Sequence, residues 1–294
     1  MRWSTKKRLE FIESRLFWDG KISRKDLTEY FDVSIPQATK DIKKYSEIAP
    51  TNIQYDSSAK HYVAGNRFLP VLATLEGESY FSHLIVSGLD KSPGEFFCGR
   101  VPQSYQLPLL ARAIDSQILK QILKSMHGSE SIEIEYQSMN TPDPTTRWIS
   151  PHAFGFDGLR WHVRGLCHKD KMYKDFVLSR IISVGDSKIF PHGHSNDFLW
   201  HNNLVFKIAA HKDLSPGQKK SIECEFNMVN GEVAIEIKAA FHFYLKQRLG
   251  LHKENESISG KKQQIILINR EEIETKLALL REIESSRIKE LSFY

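Results

Sequence analysis

The sequence has few cysteines and no long apolar run. Its 294 residues include three cysteines, Cys98, Cys167 and Cys224, which are far apart and form neither a disulfide framework nor a C-x-x-C metal knuckle. No apolar run approaches the roughly 18 to 20 residues of a membrane helix, and the first residues, MRWSTKKRLE, lack a secretory apolar core. We therefore expect a cytoplasmic protein with no membrane partner.

Catalytic motifs are also absent from the sequence. It contains no G-x-x-x-x-G-K-[ST], G-x-G-x-x-G, H-E-x-x-H or G-x-S-x-G pattern. Residues 191–201 (PHGHSNDFLWH) offer imidazoles and a carboxylate that zinc could bind, but the stretch is typical of an interdomain loop without supporting partners. Glu133 and Glu135 alternate like the solvent side of a strand rather than like clustered catalytic carboxylates. We predict no enzymatic activity, catalytic residue, cofactor or metal.

Positive charge is concentrated in two regions of a chain whose formal net charge is +5. Residues 1–66 hold 12 Lys/Arg against 9 Asp/Glu, and residues 147–180 hold 7 against 3. A basic surface favours polyanionic partners such as nucleic acid, although many cytosolic proteins are equally basic without binding it. We therefore expect two separate anion-facing surfaces.

Three short helices are predicted in the first fifty residues. Apolar positions at helical spacing indicate a first helix over residues 6–17, which Asp19 and Gly20 end. Ser23 is a suitable N-cap for a second helix, with an acidic residue three positions later. Ser34 opens a third helix in a predicted capping box with Gln37, and proline lies in its first turn.

The third helix has an apolar face and a polar face. The inward face is predicted to consist of Ile35, Ala38, Ile42 and Tyr45. The outward face carries amide, hydroxyl and cationic donors on Gln37, Thr39, Lys40, Lys43 and Lys44. Residues 52–65 (NIQYDSSAKHYVAG) then alternate around a Ser-Ser turn, as a two-stranded wing should.

This arrangement matches the helix-turn-helix, whose third helix lies in the major groove. The stretch VSIPQATKDIKKY resembles the recognition helix of bacterial winged-helix repressors. The resemblance implies that Gln37 contacts adenine or a phosphate and that the lysines contact phosphates and one guanine. The implied DNA-binding residues are Ser34, Gln37, Thr39, Lys40, Lys43, Lys44, Lys60 and His61. The alternative, a three-helix packing unit with a merely solvated face, stays open.

Residues 69–128 are predicted to form a helical linker. Helical patterns run over residues 75–89 and 109–126, and a loop rich in proline and glycine separates them. The second pattern places Leu110, Ala113, Ile114, Ile118, Ile122 and Met126 on one stripe. Because helix-turn-helix proteins usually bind two half-sites as a two-fold pair, we expect dimer contacts here and a homodimer.

The pattern changes to short alternating strands after Gly128, which predicts a compact antiparallel β unit closed into a small barrel. Its residues resemble the WYL domain, a ligand-sensing module of bacterial regulators. The family positions are occupied by Arg147, Ser150-Pro151-His152, Gly155, Trp161-His162-Val163-Arg164, Lys174-Asp175-Phe176 and Arg180-Ile181. The chain departs from the family where the naming triplet is Trp-His-Val and where Lys174 replaces the usual arginine.

The WYL resemblance implies a pocket for an anionic effector such as a nucleotide or an oligonucleotide fragment. Guanidinium forks suit phosphate, and imidazole and hydroxyl groups add directional hydrogen bonds. The implied ligand-binding residues are Ser150, His152, Trp161, His162, Arg164, Lys174 and Arg180. Strand alternation predicts that Trp161 and Val163 share one face and that His162 and Arg164 present donors on the other. The alternative is that the arginines pair with Asp157 or Asp186 and that His152 satisfies a carbonyl.

The C-terminal third is predicted as strand, helix, strand, strand, helix and strand, followed by an amphipathic helix from Arg270. The second of these strands is residues 224–229 (CEFNMV). This α+β pattern resembles the WCX-like extension that often follows WYL domains. The last helix is expected to pack on its own domain or on its twin.

The complete prediction is an α+β multidomain protein. It comprises a winged helix-turn-helix at residues 1–68, a helical linker at 69–128, an SH3/Sm-like WYL β-barrel at 129–192 and an α+β domain at 193–294. This order is similar to that of the BrxR/CapW repressors of bacterial phage-defence loci. The similarity implies a ligand-responsive homodimeric repressor that binds an inverted repeat in a double-stranded DNA operator. A competing hypothesis is an RNA- or single-strand-binding protein in which Trp161 and Phe154 stack bases while Arg164 and Lys174 bind phosphates.

Overall fold

A computed structural model describes residues 2–90, 97, 99, 102–107, 110, 112–190, 196–252, 255 and 257–291 of the chain. The chain divides into two compact units, Met1–Leu110 and Ala111–Tyr294. Within the described residues, no helix combines the length and apolar character needed to cross a bilayer.

The first unit opens with the three predicted helices, α1 (Trp3–Asp19), α2 (Arg24–Phe31) and α3 (Ile35–Ile48). Gly20 ends α1 in the left-handed region at φ 72°. The side chain of Ser23 accepts from the Asp26 amide, and Asp26 bonds back to the Ser23 amide. These local stop and start signals are those predicted, because caps are formed by residues that are close in sequence.

A small antiparallel sheet packs beside these helices. It contains β1 (Lys21–Ile22), β2 (Ile53–Asp56) and β3 (His61–Ala64), in the order β1-β3-β2. The predicted two-stranded wing is confirmed, and β1 adds a third strand that the sequence did not predict. A further helix of this unit, α4 (Gly77–Asp90), begins two residues later than predicted.

A buried carboxylate joins α1 to the chain that precedes α4. Glu13 is fully buried and accepts hydrogen bonds from the Tyr45 hydroxyl at 3.1 Å and from the amides of Val71, Leu72 and Ala73 at 2.9, 2.8 and 2.6 Å. Four donors satisfy both oxygens, which offsets the cost of burying the group. This contact fixes the exit of the chain from the winged helix.

The second unit begins with α5 (Ser116–Gly128) and the strands β4 (Glu130–Tyr136), β5 (Thr145–Phe156), β6 (Trp161–Cys167), β7 (Met172–Val177) and β8 (Ile181–Ile189). The strands pair antiparallel in the order β7-β6-β5-β4-β8. Across the described residues, the edge strands β7 and β8 do not pair with each other, so the sheet is open. The predicted closure into a barrel is therefore not confirmed.

The helix predicted over residues 109–126 begins later, at Ser116. The side chain of Asp115 accepts from the amides of Gln117 and Ile118 at 2.7 and 3.0 Å, and this cap sets the start. Leu110 is 86% exposed and lies outside the helix. The helical part of the predicted stripe therefore begins at Ile118, although Ile114, just before the helix, packs against the same core.

The C-terminal part forms a second antiparallel sheet, of β9 (Asn203–Ala210), β10 (Glu232–Lys238) and β11 (Ile265–Leu267), in the order β10-β9-β11. Its helices are α6 (Phe198–His201), α7 (Pro216–Glu225), α8 (His242–Leu249) and α9 (Arg270–Lys289). The strand predicted over residues 224–229 is wrong, because α7 runs through Glu225 and the chain turns at Asn227 with φ 49°. The predicted last helix is confirmed, and Ile273, Leu277 and Leu280 bury its apolar side.

Candidate nucleic-acid interface and effector site

The outer face of α3 carries the cations that the sequence predicts. Thr39, Lys40 and Lys43 are exposed, and Lys44 is half-buried. The Ser34 hydroxyl accepts from the Gln37 amide at 3.4 Å, which confirms the predicted serine cap. The helix therefore presents its basic side chains to solvent in the arrangement that contacts phosphates in recognition helices.

Gln37 does not complete the predicted capping box. Its Nε2 lies 3.0 Å from both carboxylate oxygens of Asp41, one turn further along the helix. Asp41 is buried and also accepts from Nε of Arg8 at 2.6 Å. A charged acceptor one turn away is a stronger partner than the Ser34 amide, so the glutamine turns toward it. No local pattern announces this contact, because Arg8 lies on another helix.

Ile35 is not on the inward face, as the periodicity predicted, but is 63% exposed. It is the first residue of α3, and side chains of a helix tilt toward its N-terminus. A side chain in the first turn therefore projects past the end of the core. Ala38, Ile42 and Tyr45 are buried as predicted.

The wing turn presents the other two predicted DNA contacts, Lys60 and His61. The Asp56 carboxylate accepts from the amides of Ser58 and Ala59 at 2.9 and 3.0 Å, and Lys60 adopts a left-handed conformation at φ 54°. Lys60 is exposed and His61 is half-buried. The turn is thus held by its own side chain, which keeps both residues at the tip of the hairpin.

Arg164 lies at the centre of a buried ion-pair cluster in the second unit. Its Nε and Nη2 donate to the two oxygens of Asp197 at 2.7 and 2.8 Å, and its Nη1 donates to Asp175 at 3.0 Å. Nε2 of His152 lies 2.8 Å from the same Asp197. Hydrogen bonds from His152 and Arg164 outweigh desolvation and lower the pKa of Asp197. The guanidinium fork is therefore occupied by carboxylates of the protein itself.

His162 is fixed on the same side of β6. Its Nε2 lies 2.9 Å from Asp157, and the ring of Tyr244 on α8 lies over it with centroids 4.8 Å apart. The Tyr244 hydroxyl donates to Asp175 at 3.2 Å. His162 and Arg164 share a face, as alternation predicts, and the C-terminal part covers this face, so the donors point at carboxylates of the protein rather than at solvent. Arg164 is ion-paired, but with Asp175 and Asp197 rather than Asp157 or Asp186.

Ser150 and Lys174 belong to other local networks. Ser150 Oγ lies 2.6 Å from Ser131 Oγ and 2.8 Å from Nε2 of His168, and all three residues are buried. Burial lowers the pKa of His168 to about 4, so this imidazole is neutral near pH 7. Lys174 donates to Asp170 at 2.6 Å. Neither residue hydrogen-bonds to the Arg164 cluster among the bonds described, although Ser150 lines a small cavity together with His152.

Trp161 and Arg180 are, like the partly exposed Lys174, predicted effector residues that remain accessible. Trp161 is 48% exposed, and its ring packs on Phe156 with centroids 5.0 Å apart. Arg180 ends a 3₁₀ turn, is half-buried, and its guanidinium forms no hydrogen bond or ion pair with any residue that the structure describes. Phe154, proposed as a base-stacking residue, packs instead against the core of the sheet.

The histidine-rich residues 191–195 and Cys98 lie outside the described part of the chain. Asp197 belongs to the ion-pair cluster, and His201 is the last residue of α6. Among described side chains, no three metal-ligating groups converge. Cys167 is a buried free thiol and Cys224 an exposed one.

Glu284 of α9 is a titratable group near this cluster that the sequence did not single out. It is buried, and its Oε2 accepts from the Leu199 amide at 3.4 Å. Burial, together with the nearby Asp197 carboxylate, raises the pKa of Glu284 to about 7. An amphipathic pattern assigns glutamate to the solvent side of a helix, so the sequence contains no signal for this residue.

Glu284→Gln is expected to remove a pH-dependent loss of stability. The pKa of Glu284 is raised from 4.5 to about 7, so the folded state keeps a proton that the unfolded chain releases between these values. The free energy of unfolding of the wild type therefore falls as pH rises across this window, relative to a glutamine variant that cannot titrate. Urea unfolding between pH 5 and pH 8 measures the difference. Glu282→Gln, at an exposed position of the same helix, is the control, and parallel profiles for wild type and Glu284→Gln would contradict the prediction.

Known protein families match the N-terminal, middle and C-terminal parts of the chain. Family models match for the "BrxR transcriptional regulator winged helix-turn-helix domain" at residues 4–85, the "WYL domain" at 117–185 and the "BrxR transcriptional regulator, C-terminal dimerization domain" at 205–273. The PafBC proteasome accessory factor B/C of Arthrobacter aurescens aligns with 15% identity and a TM-score of 0.31, covering 93% of this chain and 46% of that chain, which is too distant for any argument.

Curated relatives extend the match over nearly the whole chain. The "DNA-binding transcriptional repressor CapW" of Escherichia coli (strain KTE188) is 35% identical over 92% of this chain and 91% of its own. The proteins of the same name from Pseudomonas aeruginosa and Stenotrophomonas maltophilia are 36% and 32% identical, over 92% and 93% of this chain and 91% and 92% of theirs. The resemblance seen in the sequence is thereby confirmed, and the chain belongs to the BrxR/CapW family of WYL-domain transcriptional repressors.

Proposed function

We propose that this protein is a homodimeric, sequence-specific DNA-binding repressor whose WYL domain senses an anionic effector. The observation that carries the proposal is the exposed face of α3 with Thr39, Lys40 and Lys43, to which the wing turn of the same unit adds the exposed Lys60 and the half-buried His61. Cations in this arrangement bind the phosphates on either side of a major groove while the first turns of the helix reach base edges. The relatives named as DNA-binding repressors support this assignment.

Dimerisation and repression follow from the same family. The match to a C-terminal dimerization domain at residues 205–273 supports a two-fold pair. A two-fold pair of winged helices binds an inverted repeat with half-sites one helical turn, or a multiple of it, apart. Repression then works by occluding a promoter. The proposal includes a cytoplasmic location and, from the family resemblance, a phage-defence or similar operon as the regulated genes.

The effector part of the proposal rests on Arg164, His152 and Asp197. A guanidinium fork and an imidazole already bind a carboxylate here at 2.7 to 2.8 Å, so the donors are arranged for an anion. The phosphate of a nucleotide or nucleic-acid fragment would replace the Asp197 carboxylate as the acceptor of these hydrogen bonds. The accessible Trp161 lies on the opposite face of β6, so Trp161 and Arg180 would contact only parts of an extended nucleic-acid fragment that lie outside this anion position. Ser150, His162 and Lys174 would join only after their present bonds open.

A mobility-shift titration on the DNA upstream of the protein's own gene tests the function. We expect nanomolar binding that a scrambled duplex does not compete. If the dimer makes six lysine–phosphate contacts, raising the salt concentration from 50 to 200 mM should weaken binding about a thousandfold. Equal and weak binding to both duplexes, with tighter binding to single strands, would instead favour the alternative of an RNA- or single-strand-binding protein that uses Trp161.

A further inference from the structure

The first turn of α3 presents apolar groups where hydrogen-bonding groups were expected. Ile35 is 63% exposed, Pro36 beside it is exposed, and Thr39 lies one turn further on the same face. The side-chain Nε2 of Gln37 donates to Asp41, 3.0 Å from both carboxylate oxygens. The Thr39 hydroxyl donates to the Ile35 carbonyl at 3.0 Å, so its proton is also used within the helix. What this turn can offer a partner is therefore mainly aliphatic surface.

Positive charge next to this aliphatic surface indicates the kind of partner that covers it. Lys40 and Lys43 are exposed on the same side of α3, and neither forms an ion pair with a described residue. A protein surface that combines a small apolar patch with unpaired lysines fits the major groove, in which phosphates flank the base edges. In that groove the one apolar group on the base edges is the C5 methyl of thymine.

We propose that Ile35 reads a thymine methyl group in each half-site, with Pro36 and the Thr39 methyl beside it. The inference rests on the proposed DNA binding and adds a specificity-determining contact to it. Lys40 and Lys43 fix the depth of the helix in the groove, and Ile35 then distinguishes thymine from cytosine, which has no methyl group, and from a purine edge.

The expected size of the effect follows from the burial of one methyl group. Removing a buried methyl weakens an interaction about fourfold. Replacing the critical thymine with deoxyuridine should therefore weaken wild-type binding about fourfold in one half-site and about sixteenfold in both. Ile35→Ala should bind the parent duplex more weakly and lose nothing further on deoxyuridine substitution.

The experiment uses the full-length protein. Selection from a random duplex library first gives the sequence that the wild type prefers. Each thymine of that duplex is then replaced in turn with deoxyuridine, and the affinities of wild type, Ile35→Ala and Ile35→Val are measured. Ile48→Ala is the matched control, because Ile48 is also exposed on α3 but lies at its last residue. Circular dichroism melting confirms that the variants are folded, as expected for exposed positions.

The expected result is a thymine position at which wild type and Ile48→Ala lose about fourfold, Ile35→Val loses less and Ile35→Ala loses nothing. The salt dependence of Ile35→Ala should equal that of the wild type, because no phosphate contact is removed. If every deoxyuridine duplex binds like its parent, or if Ile35→Ala shows the wild-type loss, the inference is overturned and DNA binding stands. If no sequence is enriched, the proposed function fails and the inference fails with it.

Discussion

Replacing Lys40 and Lys43 together with alanine is expected to weaken specific duplex binding by at least about a hundredfold at 0.1 M salt. Both side chains are exposed and, within the described part of the chain, form no ion pair, so their charge is available to phosphates. A dimer loses four such contacts, and the slope of log affinity against log salt should fall by about four. Stability should change little, because neither side chain is buried.

Mobility shifts at several salt concentrations measure both the affinity and its dependence on salt. Lys169→Ala with Lys289→Ala makes the same change in charge at two exposed lysines of the second unit, outside the matched dimerization domain, and is the control. A comparable loss in this control would mean that net charge, not the α3 face, sets the affinity. If Lys40→Ala with Lys43→Ala left duplex binding unchanged, the outer face of α3 would not be the DNA-binding surface.

The winged helix could be predicted because its signals are local. Ser23 and Ser34 cap helices through amides three residues away, and apolar spacing alone identifies most of the buried positions. The same reasoning was wrong for Ile35, because periodicity does not state where the core ends along a helix. It also could not reveal the partner of Gln37, since Asp41 is held by Arg8, 33 residues earlier in the chain.

The effector site was predicted less completely for the same reason. Alternation along β6 correctly places His162 and Arg164 on one face. It does not show that Asp197, 33 residues beyond Arg164, and Tyr244, 82 residues beyond His162, cover that face. The WYL resemblance identified the donors, but Asp197, the carboxylate that Arg164 and His152 share, lies in the segment that follows the domain. Whether these donors are free or already bonded to protein carboxylates therefore depends on the tertiary structure.

Asp197→Ala is expected to destabilise the second unit by about 3 to 5 kcal/mol, because it leaves Arg164 and His152 buried without their shared carboxylate. The substitution also removes the acceptor of the Trp200 amide at the start of α6. Glu290→Ala, which removes the exposed partner of the exposed Arg287 at the end of α9, should cost less than about 1 kcal/mol and is the control. Thermal unfolding of both variants measures the difference.

If the Arg164 cluster is an anion site, inorganic phosphate should restore part of the stability that the Asp197→Ala variant loses. The substitution leaves a vacated position beside the guanidinium fork and the His152 imidazole, where a phosphate oxygen can accept the bonds that Asp197 accepted. For a site with a Kd of about 5 mM, 50 mM phosphate would raise the Tm by about 3 °C over sodium chloride of equal ionic strength. Wild type, whose fork is occupied, and Glu290→Ala should show no such increase. An equal shift in all three proteins would indicate a general salt effect, and no shift in Asp197→Ala would mean that the effector binds elsewhere than at Arg164.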